Sequence, residues 1–330
     1  MKTKKKKIDD LNLELTLTVE KDDYSEIERK KLAERRRTAD LKGFRKGMVP
    51  EGMIRRIYGE QALVESVNQV ISKGLEDFIE AEKLHVLGEP LGSEKQPEVE
   101  WKDGNDFTFI FDIAVYPEIK VSAGKEDEIP QYNISVSAKE KKEMVENLKK
   151  YYAEKKDAKK TDEDIDKEVT ERLKSQYKSE SDWRLGADIR KHFVDKADVK
   201  LPEAFLKRWL QATNEKVKPE DLEKEFPGFL ADFRWQLVRS EFMKSFGFKI
   251  EKADLEEAAK AYVTYQYAMY GMGNVPEDII AGSVKQMLED RGQIDRLAEQ
   301  VEDRKVMEKL RELVTLTPKK ITSEKFRELR

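Results

Sequence analysis

The chain has 330 residues, 38% of them apolar and 40% charged, with a net charge of −4 and no cysteine. That is length for two or three domains, but the charged fraction is high for a ball and predicts thin cores in an elongated molecule. Disulfides, thiolate zinc sites and thiol nucleophiles are excluded, and the near-balanced charge gives no global pull toward nucleic acid or membrane. No window approaches the roughly 20 apolar residues of a membrane span. The head MKTKKKKIDD has no apolar run after its lysines, so it does not read as a secretory signal and a cytoplasmic location is expected. Its KKKK run reads as a generic disordered basic tail ahead of a contact with RNA.

The first element is a half-buried strand in LNLELTLTVE, where Leu11, Leu13, Leu15, Leu17 and Val19 alternate with polar neighbours. DDYSEIERKKLAERRRTADL predicts a helix with a basic side at Lys30, Arg36 and Arg37. After a glycine loop come a short helix from Pro50 to Tyr58 and a longer one whose Leu63, Val67, Val70, Ile71, Leu75, Phe78 and Ile79 form a buried stripe. LHVLGEPL and NDFTFIFDIAVYPEI predict further strands. Residues 1–118 are therefore expected to form a small α+β domain, residues 119–137 an extended linker, and residues 138–330 an elongated all-helical domain with arms. Within the last, the heavily charged TDEDIDKEVTERLKSQYKS leads into SDWRLGADIRKHFVDKADVK, Lys155 to Asp166 is a solvated hinge or loop, and FPGF and FGF are breaks.

Charge is concentrated where the composition hides it. Between Arg29 and Arg56 eleven lysines and arginines meet only Glu34, Asp40 and Glu51, about +8 locally. Inside this region DLKGFRKGMVP places Phe44, Arg45 and Lys46 between Gly43 and Gly47. Glycine tolerates backbone angles other residues resist, so the three side chains can stand on a tight exposed loop, a patch for an anionic surface offering an apolar notch. The residues alone are equally compatible with a Phe44 tucked into the core.

GFRKGMVP resembles the signature of trigger factor, Gly-Phe-Arg-x-Gly-x-x-Pro, and holds every fixed position of it. The similarity continues through IYGEQALVESVNQVI and LHVLGEPL and resumes in LPEAFLKRWLQATNE and YGMGNVPEDII. The resemblance implies an ATP-independent chaperone. It would dock beside the exit tunnel of the large ribosomal subunit, against protein and ribosomal RNA, through Gly43, Phe44, Arg45, Lys46 and Gly47. It would also hold nascent or unfolded polypeptides in a helical cradle and form a homodimer when free. Many members carry lysine where this chain has Met48, which removes one charge from the loop. The family ordinarily carries an FKBP-type prolyl isomerase domain with several strands and an aromatic-lined pocket. Between Tyr132 and Lys200 this chain has mostly charged helical sequence, so the insertion is expected to be missing near residues 155–162 and the chain not to be an enzyme.

AYVTYQYAMYGMGNVP is crowded with aromatics and methionines that a helical wheel divides into two groups, Tyr262, Tyr265, Met269 and Met272 on one side and Val263, Tyr267 and Tyr270 on the other. One stripe is explained by a core; a second needs another contact, and Tyr and Met suit promiscuous clients. Packing on both sides is the competing reading for each residue. Phe229 and Phe233 add further candidates. His85 and His192 stand far apart without a cysteine, so no metal or other cofactor is expected. The alternatives in other classes are a prolyl isomerase and an RNA-binding ribosome factor.

Overall fold

The computed structural model describes residues 1–116, 118–154, 160–214 and 218–329. In chain order its elements are β1 (Lys2–Lys7), β2 (Asn12–Val19), α1 (Lys21–Thr38), α2 (Glu51–Ala81), β3 (Leu91–Gly92), β4 (Phe107–Ala114), β5 (Glu128–Ser135), α3 (Ala138–Glu154) and α4 (Asp162–Ala197). There follow α5 (Glu203–Thr213), α6 (Pro219–Ser245), α7 (Lys252–Met269), α8 (Glu277–Met287), α9 (Arg291–Leu313), β6 (Thr315–Thr322) and α10 (Ser323–Glu328). They form two compact units: Met1–Glu118 with Lys200–Leu230, and Ile119–Val199 with Ala231–Arg330.

The first unit is built on an antiparallel sheet of order β1-β2-β4-β3. The alternation in β2 and β4 puts Leu13, Leu15, Leu17 and Val19 opposite Ile113, Phe111, Phe109 and Phe107 on one face. Leu63, Val67 and Ile71 of α2 and the ring of Tyr24 close a core against that face. The Tyr24 hydroxyl donates to the Asn105 carbonyl at 3.0 Å and accepts the Gly104 N–H at 2.9 Å, so its buried polar end is satisfied. On the other face Glu14 lies directly across from Asp112, a like-charge pair that destabilises a sheet unless compensated. Lys95 donates to Glu14 at 2.8 Å and Arg208 of α5 to Asp112 at 2.8 Å. A second small core of Leu32, Ala39, Val49, Ile54 and Ala62 joins α1 to the start of α2.

In the second unit α3 and α4 pack as an antiparallel hairpin through Met144, Val145, Leu148 and Tyr152 against Ile165, Val169, Leu173 and Tyr177. Thr161 caps α4 by accepting the Asp164 N–H at 3.2 Å, and the Asp164 carboxylate accepts the Thr161 N–H at 3.1 Å in return. β5 pairs in parallel with β6, from Glu128 opposite Thr315 to Ser135 opposite Thr322. Just ahead of β5, the buried Asp127 accepts Lys196 Nζ at 2.7 and 2.9 Å, His192 Nε2 at 2.8 Å and the Gly124 N–H at 2.9 Å. Its own backbone carbonyl receives Thr315 N–H at 2.9 Å, so one residue links β5, α4 and β6.

An α+β first part and a mostly helical remainder match the class read from the sequence, with several differences in detail. The lysine run is not a tail: β1 pairs with β2 over its whole length, and Lys2, Lys5, Lys6 and Lys7 each meet a carboxylate. The helix expected over 50–58 and the one after it are a single α2, which runs through Gly59, a residue that costs a helix interior only about 1 kcal/mol. Only a bridge between Val86 and Val115 and the two residues of β3 represent the strand expected in LHVLGEPL. Residues 128–135, read as part of a linker, are β5, and β6 is a strand inside the stretch read as all-helical. Residues 200–230 group with the first unit. The stretch from TDEDIDKEV through KHFVDKA is one helix, α4, so Asp162 to Asp166 of the expected hinge or loop are helical, while residues 155–159 of that loop and insertion point lie outside the described residues.

FPGF does not break α6, which runs through Pro227. Proline's fixed φ is compatible with a helix, so α6 continues past it although Pro227 gives up one hydrogen bond and its ring crowds the Glu223 carbonyl. FGF does stop it: Gly247 at φ +67 lets its own N–H reach Lys244 O and the Phe248 N–H reach Met243 O, the Schellman pattern.

Candidate functional site

The segment from Lys42 to Pro50 is two tandem turns. Phe44 N–H bonds to Leu41 O at 3.0 Å and Met48 N–H to Arg45 O at 2.9 Å. The third residue of each turn is a glycine, Gly43 at φ +95 and Gly47 at φ +80, whereas Lys42 and Lys46 keep negative φ. That combination is the mark of a type II turn, and it is why glycine is needed at both positions. A Cβ on either would meet nothing within 4 Å, so the requirement is backbone conformation and not space. The base of the loop is held: Val49 is fully buried, Leu41 packs on the same small core, and Arg36 Nε donates to Val49 O at 2.9 Å. The tip is not, and Phe44 remains 38% exposed with Arg45 and Lys46 exposed beside it. The structure brings Gly43, Phe44, Arg45, Lys46 and Gly47 together as one projecting feature and decides against a fully buried Phe44.

The local charge divides in two. Lys30 pairs with Glu26, Lys31 and Arg35 with Glu65, Arg55 with Asp103, and Arg36 is used on Val49. Arg29, Arg37, Lys42, Arg45, Lys46 and Arg56 have no ion pair with a described carboxylate. Sequence reasoning stopped at the loop and missed its continuation: Met48, Met53 and Ile57 are also exposed. The signal was present in α2, where Met53/Ile57 and Ile54/Tyr58 are two apolar pairs at i, i+4 spacing and only one pair can face the core. Ile54 and Tyr58 face it.

In the second unit, α7 separates the two stripes. Ala259 and Val263 are buried and Tyr267 is half-buried, its hydroxyl 3.1 Å from Ser283 Oγ of α8. Tyr262, Tyr265 and Met269 lie on the opposite face, with Tyr265 at 63% and Met269 at 69% exposure. Tyr270, grouped on the wheel with Val263 and Tyr267, is not on either stripe, because α7 ends at Met269. Gly271 at φ +76 reverses the chain there and leaves Tyr270 and Met272 exposed. Between α7 and α8 a groove of ≈ 550 Å³ is lined by Ile280, Ala281, Val284 and Leu288 together with the charged Lys252, Glu256, Lys260 and Glu277. Phe229 and Phe233 are half-buried, and Phe229 stacks on the buried Phe226 with ring centroids 6.0 Å apart. Among the described residues, large exposed apolar side chains other than Met1, Ile8, Tyr151, Trp183 and Leu329 all fall within 44–57 or 262–279.

If the α7 face is a working surface, Tyr265→Ser with Met269→Ser should lower suppression of client aggregation severalfold while shifting unfolding free energy by under about 0.5 kcal/mol. Val263→Ser, on the buried stripe, should destabilise by about 2 kcal/mol. Light scattering of a denatured client and chemical denaturation of the variants separate these outcomes; loss of stability in the first pair would place that face in the core.

Among the described residues no group of three or more His, Asp or Glu stands close enough to hold a metal ion, and no helix is long and apolar enough to cross a membrane.

These two features lie in segments with known relatives. The sequence profile described as bacterial trigger factor protein matches residues 1–148, and that described as probable trigger factor, C-terminal domain, matches residues 181–330. The chain belongs to the trigger factor family. The trigger factor of Francisella tularensis subsp. novicida is 28% identical over 143 residues, 43% of this chain and 32% of that protein. That of Saccharophagus degradans is 34% identical over 125 residues, 38% of this chain and 27% of that protein. The chain thus aligns with about a third of the length of these relatives. A solved structure, described under promiscuous substrate recognition by the trigger factor chaperone, overlaps 94% of this chain and 99% of its own with a TM-score of 0.47 and 13% identity.

Proposed function

We propose that this chain is an ATP-independent chaperone that docks on the large ribosomal subunit beside the exit tunnel through Gly43–Gly47 and holds unfolded or nascent polypeptides on the exposed face of α7. The observation that carries the proposal is the Phe44–Arg45–Lys46 tip: an aromatic side chain held half in water by two glycine turns, among cations that have no ion pair with a described carboxylate, in a segment matched to the trigger factor N-terminal family. Phe44 is exposed together with Met48, Met53 and Ile57, and clustered exposed apolar side chains rimmed by polar groups mark interaction sites. The α7 face supplies the second half. Tyr and Met present adaptable apolar area, and several weak sites acting together retain a client that none would hold alone. A cytoplasmic location and a dimeric free form belong to the same proposal. Cosedimentation of the pure protein with ribosomes, followed by aggregation assays without ATP, tests both halves. Retained binding to deproteinised ribosomal RNA with none to intact ribosomes would favour a plain RNA-binding factor.

The mechanism is binding rather than catalysis. Between the two matched segments lie residues 149–180, whose described part is the end of α3 and the first half of α4, without a strand. An isomerase pocket of the FKBP type needs strands and an aromatic lining. The chain is therefore expected not to accelerate cis/trans exchange in a short prolyl peptide, a process that takes tens of seconds or more uncatalysed and so exposes even modest catalysis. Clear acceleration by the pure protein would restore the enzyme reading.

A further inference from the structure

We propose that α5 is a strap, held on the first unit by the indole of Trp209 seated at Gly88 and by an Arg208 clasp, and that it opens while the sheet beneath it stays folded. The strap joins two parts of the chain: α5 lies in the segment matched by the C-terminal profile, residues 181–330, yet it groups with residues 1–118 in the first unit. Gly88 has φ +68, and a Cβ on it would come within 2.7 Å of Cε2 and Nε1 and 3.0 Å of Cδ1 of Trp209, so the indole occupies the place a side chain would take. The preceding residue of α5, Arg208, donates to Asp112 at 2.8 Å and to the Gly92 carbonyl at 3.3 Å, and its Nε lies 3.5 Å from Glu94. Knob and clasp therefore hold the short segment from Gly88 to Glu94, which carries β3, together with its partner strand β4.

Three features set the strap apart from the core beside it. None of the buried or partly buried apolar residues that make up the core of the sheet comes from α5, so lifting the helix leaves that core's own contacts in place. Packing beneath the strap is incomplete: a cavity of ≈ 320 Å³ lies between Phe205 and Arg208 of α5 and Leu13, Ser93 and Ile113, and atoms that line a void lose little dispersion when one wall moves away. Trp209 Nε1 is buried with no acceptor among the described residues, a desolvation cost that water relieves on opening. Against opening stand the burial of Phe205 and Leu206 and the clasp itself. Asp112 faces Glu14 across the sheet, so removing Arg208 restores a like-charge pair. Arg208 and Asp112 are partly exposed, and salt therefore screens the attraction that keeps the strap shut. Opening frees the unit that carries Gly43–Gly47 from one grip of the C-terminal segment and changes nothing in that loop.

Hydrogen exchange of the whole chain, followed by mass spectrometry at low and high salt, reads the strap. In the parent, the amides of Glu203–Thr213 are expected to exchange about tenfold or more faster than those of β2 and β4, and faster again as salt is raised. Arg208→Gln is expected to speed exchange in α5 about fivefold at low salt and to remove the salt response, with β2 and β4 unchanged. Gly88→Ala puts a methyl where the indole sits. Its backbone strain at φ +68 is present whether the strap is open or shut and the clash only when it is shut, so α5 is expected to exchange about tenfold faster. If Gly88→Ala does not fold, Arg208→Gln, a partly exposed substitution of similar reach, decides the question. Exchange of α5 in step with β2 and β4 in the parent would make α5 part of one cooperative core and overturns the strap. Equal acceleration of α5 and the strands in the variants overturns separate opening, and α5 exchange unchanged by the variants overturns the Trp209 seat and the Arg208 clasp as its fastenings.

Discussion

Replacing Phe44, Arg45 and Lys46 together by alanine is expected to reduce ribosome binding at least a hundredfold and to leave the melting curve nearly where it was. The two halves of that result have separate causes. Interface aromatics and arginines are the residues whose truncation most often costs 2 kcal/mol or more, and this tip supplies one of each with a second cation. Stability is insulated because the loop is anchored from beneath by Val49, Leu41 and the Arg36 bond to the Val49 carbonyl, none of which the substitutions touch. The turns themselves depend on Gly43 and Gly47, which remain. Exposed substitutions away from caps and cores move stability by under about 0.5 kcal/mol each. Cosedimentation at low salt and a thermal melt read the two halves. Binding by the triple variant equal to the parent's would remove the docking role; a collapsed melt would show that Phe44 carries part of the core.

A sizeable, pH-dependent stability effect in the second unit is expected at Asp127. Changing Asp127→Asn keeps the size and one oxygen but turns an NH2 group toward donors, where the carboxylate accepted Lys196, His192 and the Gly124 N–H. Breaking a buried charged pair costs about 3–5 kcal/mol, but Lys196 and His192 are about a third exposed and regain water, so about 2 kcal/mol is the expected loss. The same contacts set a pH dependence. Burial alone would raise the Asp127 carboxyl, yet the bonds from Lys196, His192 and Gly124 outweigh it and hold the carboxyl below its ordinary value of 3.8. A folded-state pKa below the unfolded one means that the contribution is complete above about pH 4 and is lost as pH falls through the folded value. Denaturant titrations at pH 7 and near pH 3 should therefore show parent and Asp127→Asn far apart at the first and converging at the second. An equal gap at both would assign the cost to packing rather than to charge.

Exposed salt bridges do not carry comparable weight. Lys2–Glu20, Lys7–Asp10 and Lys252–Glu256 are exposed pairs, the kind that contribute between nothing and about 1 kcal/mol. On β1 their use is different: lysines along an edge strand keep it from pairing with another chain.

What the sequence by itself determined is what local pattern encodes. The alternation of β2 and β4 specifies which residues share the core face, because a strand's side chains alternate with period two and a slip of one residue would put Leu15 and Phe111 in water. The stripe of α2 and the glycine pair of the loop are likewise local, since periodicity and backbone permissiveness are properties of neighbours along the chain. The aromatic surplus of α7 was legible too, though not which stripe was free. That choice belonged to tertiary structure: α8 and α9 cover Ala259 and Val263, and only their placement leaves Tyr265 and Met269 in solvent. Nothing in KTKKKK marks a strand either, because its place in the sheet comes from hydrogen bonds to β2 rather than from burial of its own side chains. β5 and β6 are a parallel pair whose partners are far apart in sequence, so neither segment carries the other's signature. Asp127 reads from sequence as one more acid in GKEDE. Only the fold sets it beside Lys196 and His192, because a buried charge acquires its role from the donors brought to it.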